Sequence, residues 1–278
     1  MDMQGRYSKG VVYLAWGEKF ISEARNSVSS VKRHNQIPCT LITNHEIEPG
    51  QFDSVVNLQL QNSYKDKVLI NQSPYSKTVF LDTDTTILGS LDQIFDLLDV
   101  FDIAFCPASG GLHYTLPGVP MEAFPEPSAG IIAWRKNERT DRLFELWAHH
   151  YDLIQSAEGE GAWDQRSLRA ALYYSNVRLT MLPDIWQAYT FDSARLLGAV
   201  KMVHGRGKRL AWSIKHLQSR EDYRIWLPPV GSLGMYKTSP DDYVRISISS
   251  LFFAMKRSLR LLLHASVIWR LPENKRPM

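Results

Sequence analysis

Two acids separated by one residue offer this chain its clearest chemistry. Val79-Phe80-Leu81-Asp82-Thr83-Asp84 sets the carboxylates of Asp82 and Asp84 at the end of a hydrophobic run. In open α/β sheets ligands bind outside the carboxyl ends of the strands. Carboxylates at i and i+2 on a chain leaving a strand can converge on a hard divalent cation, Mn2+ or Mg2+, which prefers oxygen ligands and shares them with substrate phosphates. Aspartate is also common in strand-to-loop turns, so the pair by itself leaves both readings open. Asp164, followed by Gln165, is the most interesting acid elsewhere. As a helix-start residue it equally suits the positive end of the helix dipole. His149 and His150 lie on a helix without an acidic or cysteine partner at metal spacing, and read as structural.

The elements that must position these groups follow from the hydrophobic pattern. Lys9 to Ala15 reads as a buried strand, and Phe20, Ile21, Ala24, Val28 and Val31 recur at helical spacing within Glu18 to His34. Pro38 to Thr43 is a second strand, closed by the turn formers Asn44 to Gly50. Ser54 to Leu58 adds a short strand, and Thr78 to Leu81 is the buried one that ends in the acidic pair. A helix is expected from Leu91 to Leu98 with Ser90 as its N-cap, then a strand over Ile103 to Cys106. Ala108 to Pro127, rich in Gly, Pro and small residues, is long enough to be a functional loop. Ala129 to Trp134 returns as a strand, and helices follow over Glu138 to Ile154 and Trp163 to Tyr173. Arg178 to Leu182 and Lys201 to Val203 are short strands, the latter ending at His204. Strands alternating with helices predict a mainly parallel α/β sheet with helices on both faces.

Several of these segments, in order, resemble the GT-A glycosyltransferases, and within them the glycogenin-like and bacterial lipopolysaccharide galactosyltransferase family. Tyr75-Ser76-Lys77-Thr78-Val79-Phe80-Leu81-Asp82-Thr83-Asp84-Thr85 is similar to that family's DxD segment, and Ser90 to Phe95 to the helix after it. Ser128-Ala129-Gly130-Ile131-Ile132 resembles its Asn-Ser-Gly strand, Asp164-Gln165 its Asp-Gln pair, and His204 with Gly207 and Trp212 its late His-x-x-Gly stretch. The matching order covers residues 9 to 215 and is more specific than any single motif. Two departures stand out. Pro127 or Ser128 occupies the place of an Asn, and Lys208 follows His204 by four residues rather than lying further toward Trp212.

The resemblance implies a Rossmann-like nucleotide-diphospho-sugar transferase over residues 1–242. Asp84 would ligate Mn2+ or Mg2+, Asp82 the metal or the ribose hydroxyls, and His204 would complete the site. Ala15 and Trp16 would lie beneath the base, with Thr83 alongside. Lys77 would approach the sugar or phosphate edge, and Gly207 with Lys208, Arg206 or Arg209 would serve the leaving phosphate. Asp164 would take the acceptor's proton in an inverting enzyme, or orient the donor sugar in a retaining one, with Gln165 beside it. The donor would be a UDP-sugar and the acceptor a hydroxyl of a glycan or lipid-linked sugar.

Two rivals use the same residues. Asp82-Thr83-Asp84-Thr85-Thr86 also fits the DxDxT pattern of haloacid-dehalogenase-like phosphatases, with Asp82 as nucleophile. Those enzymes carry the nucleophile on the first strand and an acidic pair at a late strand end. Here about 80 residues precede Asp82, and the late pair Asp241-Asp242 follows Lys237-Thr238-Ser239-Pro240. A noncatalytic glycan- or nucleotide-binding domain is the other rival, and the joint presence of the DxD, Asp164 and His204 argues against it.

Composition sets the frame. With 44% apolar and 22% charged residues, 278 in all, the chain is an ordinary globular one that needs neither a disulfide framework nor a structural metal. Cys39 and Cys106, without CxxC spacing, read as two buried strand thiols. No secretory signal opens the sequence and no run reaches the 18 or so apolar residues of a spanning helix, which predicts a cytoplasmic protein. From Tyr243 to Met278 seven Lys or Arg face a single acid, Glu273. Lys256, Arg260 and His264 form an i, i+4, i+8 stripe there, so 243–278 reads as a basic helical extension. It suits either an anionic membrane surface on the cytosolic face or packing on the protein; nucleic acid is not the expected partner.

Overall fold

The computed structural model describes residues 8–108, 116, 118–120, 123–158, 164–218, 221–226 and 228. Half of the expected 108–127 loop, Trp163, the Asp241-Asp242 pair, the domain boundary at 242 and the basic extension lie outside these residues.

A seven-stranded sheet forms the centre. In chain order its strands are β1 (Lys9–Leu14), β2 (Cys39–Thr43), β3 (Ser54–Asn57), β4 (Lys77–Leu81), β6 (Ile103–Pro107), β7 (Pro127–Arg135) and β8 (Leu179–Met181). Their spatial order is β3-β2-β1-β4-β7-β6-β8, with only β7 antiparallel to its neighbours. Because the sheet is covered on both faces, its strands are near-continuous apolar runs. The pleat divides them: Val11, Tyr13, Val79 and Leu81 face one side, Val12, Leu14 and Phe80 the other. Helices α1 (Gly17–His34) and α2 (Asp92–Val100) cover the first face through Ala24, Val28, Val31, Ile94 and Leu98. Helices α3 (Glu138–Glu158) and α4 (Asp164–Tyr174) cover the second through Leu143, Phe144, Trp147 and Leu168. Cys39 and Cys106 are free and buried in β2 and β6, as expected.

Three differences from the expected elements bear on function. The stretch Tyr64–Gln72 is a 3-10 helix running beneath the second face, where the sequence reading placed no element. Its start is legible: Asp66 accepts from the backbone N–H of Ser63 and of Gln61, each at 3.0 Å, in the Ser-x-x-Asp arrangement of a helix N-terminus. A second small sheet, β5 (Thr85–Ile87), β11 (Met202–His204) and β9 (Ala188–Tyr189), in the order β5-β11-β9, lies just past the acidic pair. Last, α2 starts at Asp92 after an N-cap at Leu91. Ser90 stands one position before that cap, and its Oγ accepts from the Asp92 N–H at 3.1 Å, so it still satisfies a free N–H of the first turn. The ribbon β10 (Ala194–Leu197) and β12 (Tyr223–Trp226) and the helix α5 (Gly207–Leu217) complete the described chain.

Candidate active site

The site is built where β4 ends. The N–H of Asp82 donates to the carbonyl of Gly130 at 3.0 Å, so the first acid leaves the sheet beside β7. The chain then turns into β5, and β5 pairs antiparallel with β11 so that Thr85 lies opposite His204. The N–H of Gly205 donates to the Asp84 carbonyl at 3.0 Å. This pairing carries His204 to the acids across 120 positions of sequence, and its Nε2 stands 3.1 Å from Asp84 Oδ1 and 3.9 Å from Asp82 Oδ2. One ligand atom each from Asp82, Asp84 and His204 lie within 4.8 Å of one another. Two carboxylates and one imidazole form a donor set that could hold a divalent metal ion.

Hydroxyl and backbone groups hold the turn. Thr85 Oγ1 donates to the carbonyl of Asp82 at 2.7 Å and lies 2.9 Å from Ser27 Oγ, which in turn lies 2.9 Å from Tyr13 Oη. With the carbonyl as a fixed acceptor, protons in this buried file run from Tyr13 to Ser27 to Thr85, tying the acidic turn to α1. On the other side, a Cβ at Gly130 would stand 2.3 Å from Gln187 Nε2 and 2.5 Å from His204 Cε1. Only glycine lets β7 pass this close to the histidine.

Cations balance the acids. Lys67, from the 3-10 helix, places Nζ 3.0 Å from Asp82 and 2.8 Å from Asp164. Arg206, the N-cap residue of α5, reaches Asp84 at 3.2 Å and Glu23 at 3.0 Å. Burial alone would depress the Lys67 ammonium, but Asp164 and Asp82 outweigh it and hold its pKa above the ordinary value. Burial, helped by Asp84 and Asp164, lifts the Asp82 carboxyl above its ordinary value against the pull of Lys67 and His204. At Asp84 burial acts the same way, yet the His204 hydrogen bond and the Arg206 guanidinium prevail and its carboxyl is lowered. The two acids of one motif are thus biased in opposite directions.

Two adjoining cavities share this wall. One of ≈ 450 Å³ is lined by Asp164, Gln165, Gly130, Tyr189 and Phe191. The other, of ≈ 430 Å³, is lined by Leu14, Ala15, Trp16, Phe20, Asn62 and Thr83. Asp82, Asp84, Lys67, Tyr64, His204 and Arg206 line both. Trp16 packs edge-on against Phe20, with ring centroids 5.7 Å apart, and offers its remaining surface to the second cavity.

Most of the expected site residues therefore meet: Ala15, Trp16, Asp82, Thr83, Asp84, Asp164, Gln165 and His204 all line this cleft. Asp164 is not the solvated helix-start acid of the simpler reading; it is 4% exposed, and its carbonyl accepts from Trp147 Nε1 at 3.1 Å. Three expectations are not met. Lys77 is the first residue of β4, at the opposite end of the strand from the acids, where its Nζ pairs with Asp99 at 2.6 Å. Lys208 is exposed on α5 and lines neither cavity; Arg206, two residues earlier, is the cation that faces Asp84. Gly207 opens α5 at φ +68° and also stays outside both cavities. Lys67, Tyr189 and Gln187 were missed. The Ser63-x-x-Asp66 signature marked the element carrying Lys67, but nothing local pointed its side chain at the acids. The rival phosphatase reading wanted its nucleophile on the first strand, and Asp82 instead follows the fourth.

Solved structures share this fold. Similar ones include LgtC, as an active-site mutant, at 12% identity and TM-score 0.54 over 75% of this chain and 93% of that one. GlyE of Streptococcus pneumoniae gives 14% and 0.52 over 78% and 58%. The bifunctional glycosyltransferase WbbM gives 14% and 0.50 over 76% and 48%. The chain thus spans about half the length of the last two. No protein-family model matches the sequence, and no curated protein sequence does. The fold is that of the GT-A glycosyltransferases, as the ordered motifs implied.

Proposed function

We propose that this chain is a glycosyltransferase that moves a sugar from a nucleoside-diphosphate donor, a UDP-sugar, to a hydroxyl of a glycan or lipid-linked sugar. The observation that carries this is the convergence of Asp82, Asp84 and His204 within 4.8 Å on the wall common to two cavities, one flanked by Trp16 and the other by Asp164 and Gln165. That arrangement supports a base and ribose on the Trp16 side, a diphosphate at the acids, and the transferred sugar on the Asp164 side. LgtC has been solved with donor and acceptor sugar analogues, and its shared fold supports a donor and an acceptor site here.

Asp82, Asp84 and His204 would hold Mn2+ or Mg2+. Bound there, the cation supplies Lewis-acid neutralisation of the charge that develops on the departing diphosphate. The chain's own groups do the rest. Arg206, tethered by Glu23, stands beside Asp84 and offers a second positive charge to the phosphates. Lys67 pairs with Asp164 and fixes it at the start of α4, so that this carboxylate can orient the donor sugar or accept the acceptor's proton. The basic extension 243–278 is assigned by its charge to an anionic membrane surface.

The test is thermal shift with UDP, GDP and CMP, each with and without Mn2+, on wild type and on Asp84→Asn. Ligands that bind only the folded state raise the melting temperature. The expected result is a Mn2+-dependent rise with UDP that Asp84→Asn abolishes. No rise with any nucleotide overturns the donor site. A nucleotide-dependent rise without hydrolysis or transfer of any UDP-sugar would favour the noncatalytic reading.

A further inference from the structure

We propose that Gln187 is a positioning residue that sets which nitrogen of His204 carries the proton, and so whether the site can take a metal. The inference rests on the metal-binding reading above and goes beyond it to a residue outside the ligand set.

Gln187 follows a single 3-10 turn, Asp184–Trp186, and directly precedes β9; its N–H donates to the Asp184 carbonyl at 3.0 Å. The residue is 3% exposed. Its Nε2 lies 2.8 Å from His204 Nδ1 and 2.9 Å from Tyr189 Oη, while its Oε1 is buried with no hydrogen-bond partner. The imidazole is stacked on Tyr189, with centroids 5.0 Å apart and planes 25° from parallel, and backed by the bare Gly130. Ring and amide are wedged, and the motion left to the amide is the half-turn that exchanges its two ends.

Each end dictates a different tautomer. With Nε2 inward, its two N–H groups donate to His204 Nδ1 and to Tyr189 Oη. A neutral ring then carries its proton on Nε2, where it donates to Asp84 Oδ1. That nitrogen has no lone pair left for a cation. With Oε1 inward, the amide accepts from His204 Nδ1–H and from the Tyr189 hydroxyl, and Nε2 of the ring is freed as a ligand. Tyr189 can serve both arrangements because Ser128 Oγ, 2.8 Å away, donates or accepts as required. Metal ligation by His204 thus requires the half-turn, and the partner that makes it available is Gln187.

Two substitutions separate this role from a packing role. Gln187→Glu supplies only acceptors, which favours the proton on Nδ1. Gln187→Met keeps the shape and removes both donor and acceptor. The measurements are Mn2+ affinity by calorimetry and the His204 tautomer by 15N NMR of the metal-free protein, with the His204 signals assigned by their loss in His204→Asn. The expected tautomer is Nε2–H in wild type and Nδ1–H in Gln187→Glu. Mn2+ should bind Gln187→Glu at least as tightly as wild type and Gln187→Met about 10- to 100-fold more weakly. Wild-type affinity in Gln187→Met, or the same tautomer in wild type and Gln187→Glu, overturns the proposal. Absence of Mn2+ binding to wild type overturns the metal-binding reading instead, and the tautomer comparison still decides whether Gln187 governs His204. Melting curves on both variants identify a folding defect, and because the two variants are predicted to move affinity apart, a shared loss of affinity also overturns the proposal.

Discussion

Lys67 shows how much a single charge does in this cleft. Its ammonium faces two carboxylates, Asp82 and Asp164, from segments far apart in the chain, and all three side chains are largely withdrawn from water. Removing one partner of such a set leaves uncompensated charge, which is costlier than losing an exposed pair. Lys67→Met should therefore lower stability by about 3 kcal/mol, read by urea unfolding at neutral pH. It should also abolish measurable transfer, because Asp164 loses the contact that fixes it. A variant as stable and as active as wild type would show that the ammonium does not organise these acids. Arg206 and Lys208 carry the complementary lesson. Both are basic and close in sequence, yet only the N-cap residue is directed at Asp84, while Lys208 points to solvent from the first turn of α5.

At the scale of elements, Asp102 fastens the far end of the sheet. This carboxylate, 0% exposed in its side chain, pairs with Arg135 at the end of β7, Arg139 in α3 and Arg178 before β8, and accepts from the Arg178 N–H. Burial opposes its ionisation, but the Arg139 hydrogen bond, the Arg178 backbone contact and the surrounding guanidinium charges prevail and bring its pKa down to about 2. A carboxyl whose folded pKa is depressed binds protons more readily when unfolded. Its stabilisation is therefore complete above its ordinary value near 4 and is lost as pH falls from there through about 2. Chemical unfolding between pH 6 and 2 should show this loss in wild type and a shallower one in Asp102→Asn. Equal slopes would show that the arginine cluster contributes nothing to acid sensitivity. The elements also explain the placement of Lys77. It begins β4 while Asp82 follows that strand's last residue, so one straight strand of about 3.3 Å per residue keeps them apart.

For the whole molecule, the described body and the basic extension make separable predictions. Among the described residues no helix is long and apolar enough to cross a membrane. On the proposed reading any membrane contact is made by 243–278, whose basic charge supports an anionic surface over packing on the protein. In liposome flotation the full chain should float with anionic vesicles and not with neutral ones, and a chain ending at Asp242 should stay at the bottom. Unchanged flotation after truncation would sink the membrane assignment.

The sequence alone determined the sheet strands and flanking helices, because strands buried on both faces must be continuous apolar runs and helices facing them must repeat every three to four residues. It also determined that two carboxylates leave β4 together, since that spacing is local. The order of weak motifs sufficed to bring Asp164 and His204 into the same expectation. Tertiary structure decided what local pattern cannot carry. The pairing of β5 with β11 brought His204 to Asp84. The 3-10 helix aimed Lys67 at Asp82 and Asp164, and the N-cap of α5 selected Arg206 over Lys208. Gln187 met His204 only because β9 lies parallel to β11. Periodicity reports which face of an element is buried; which distant side chain it then meets depends on strand register and packing across the whole fold.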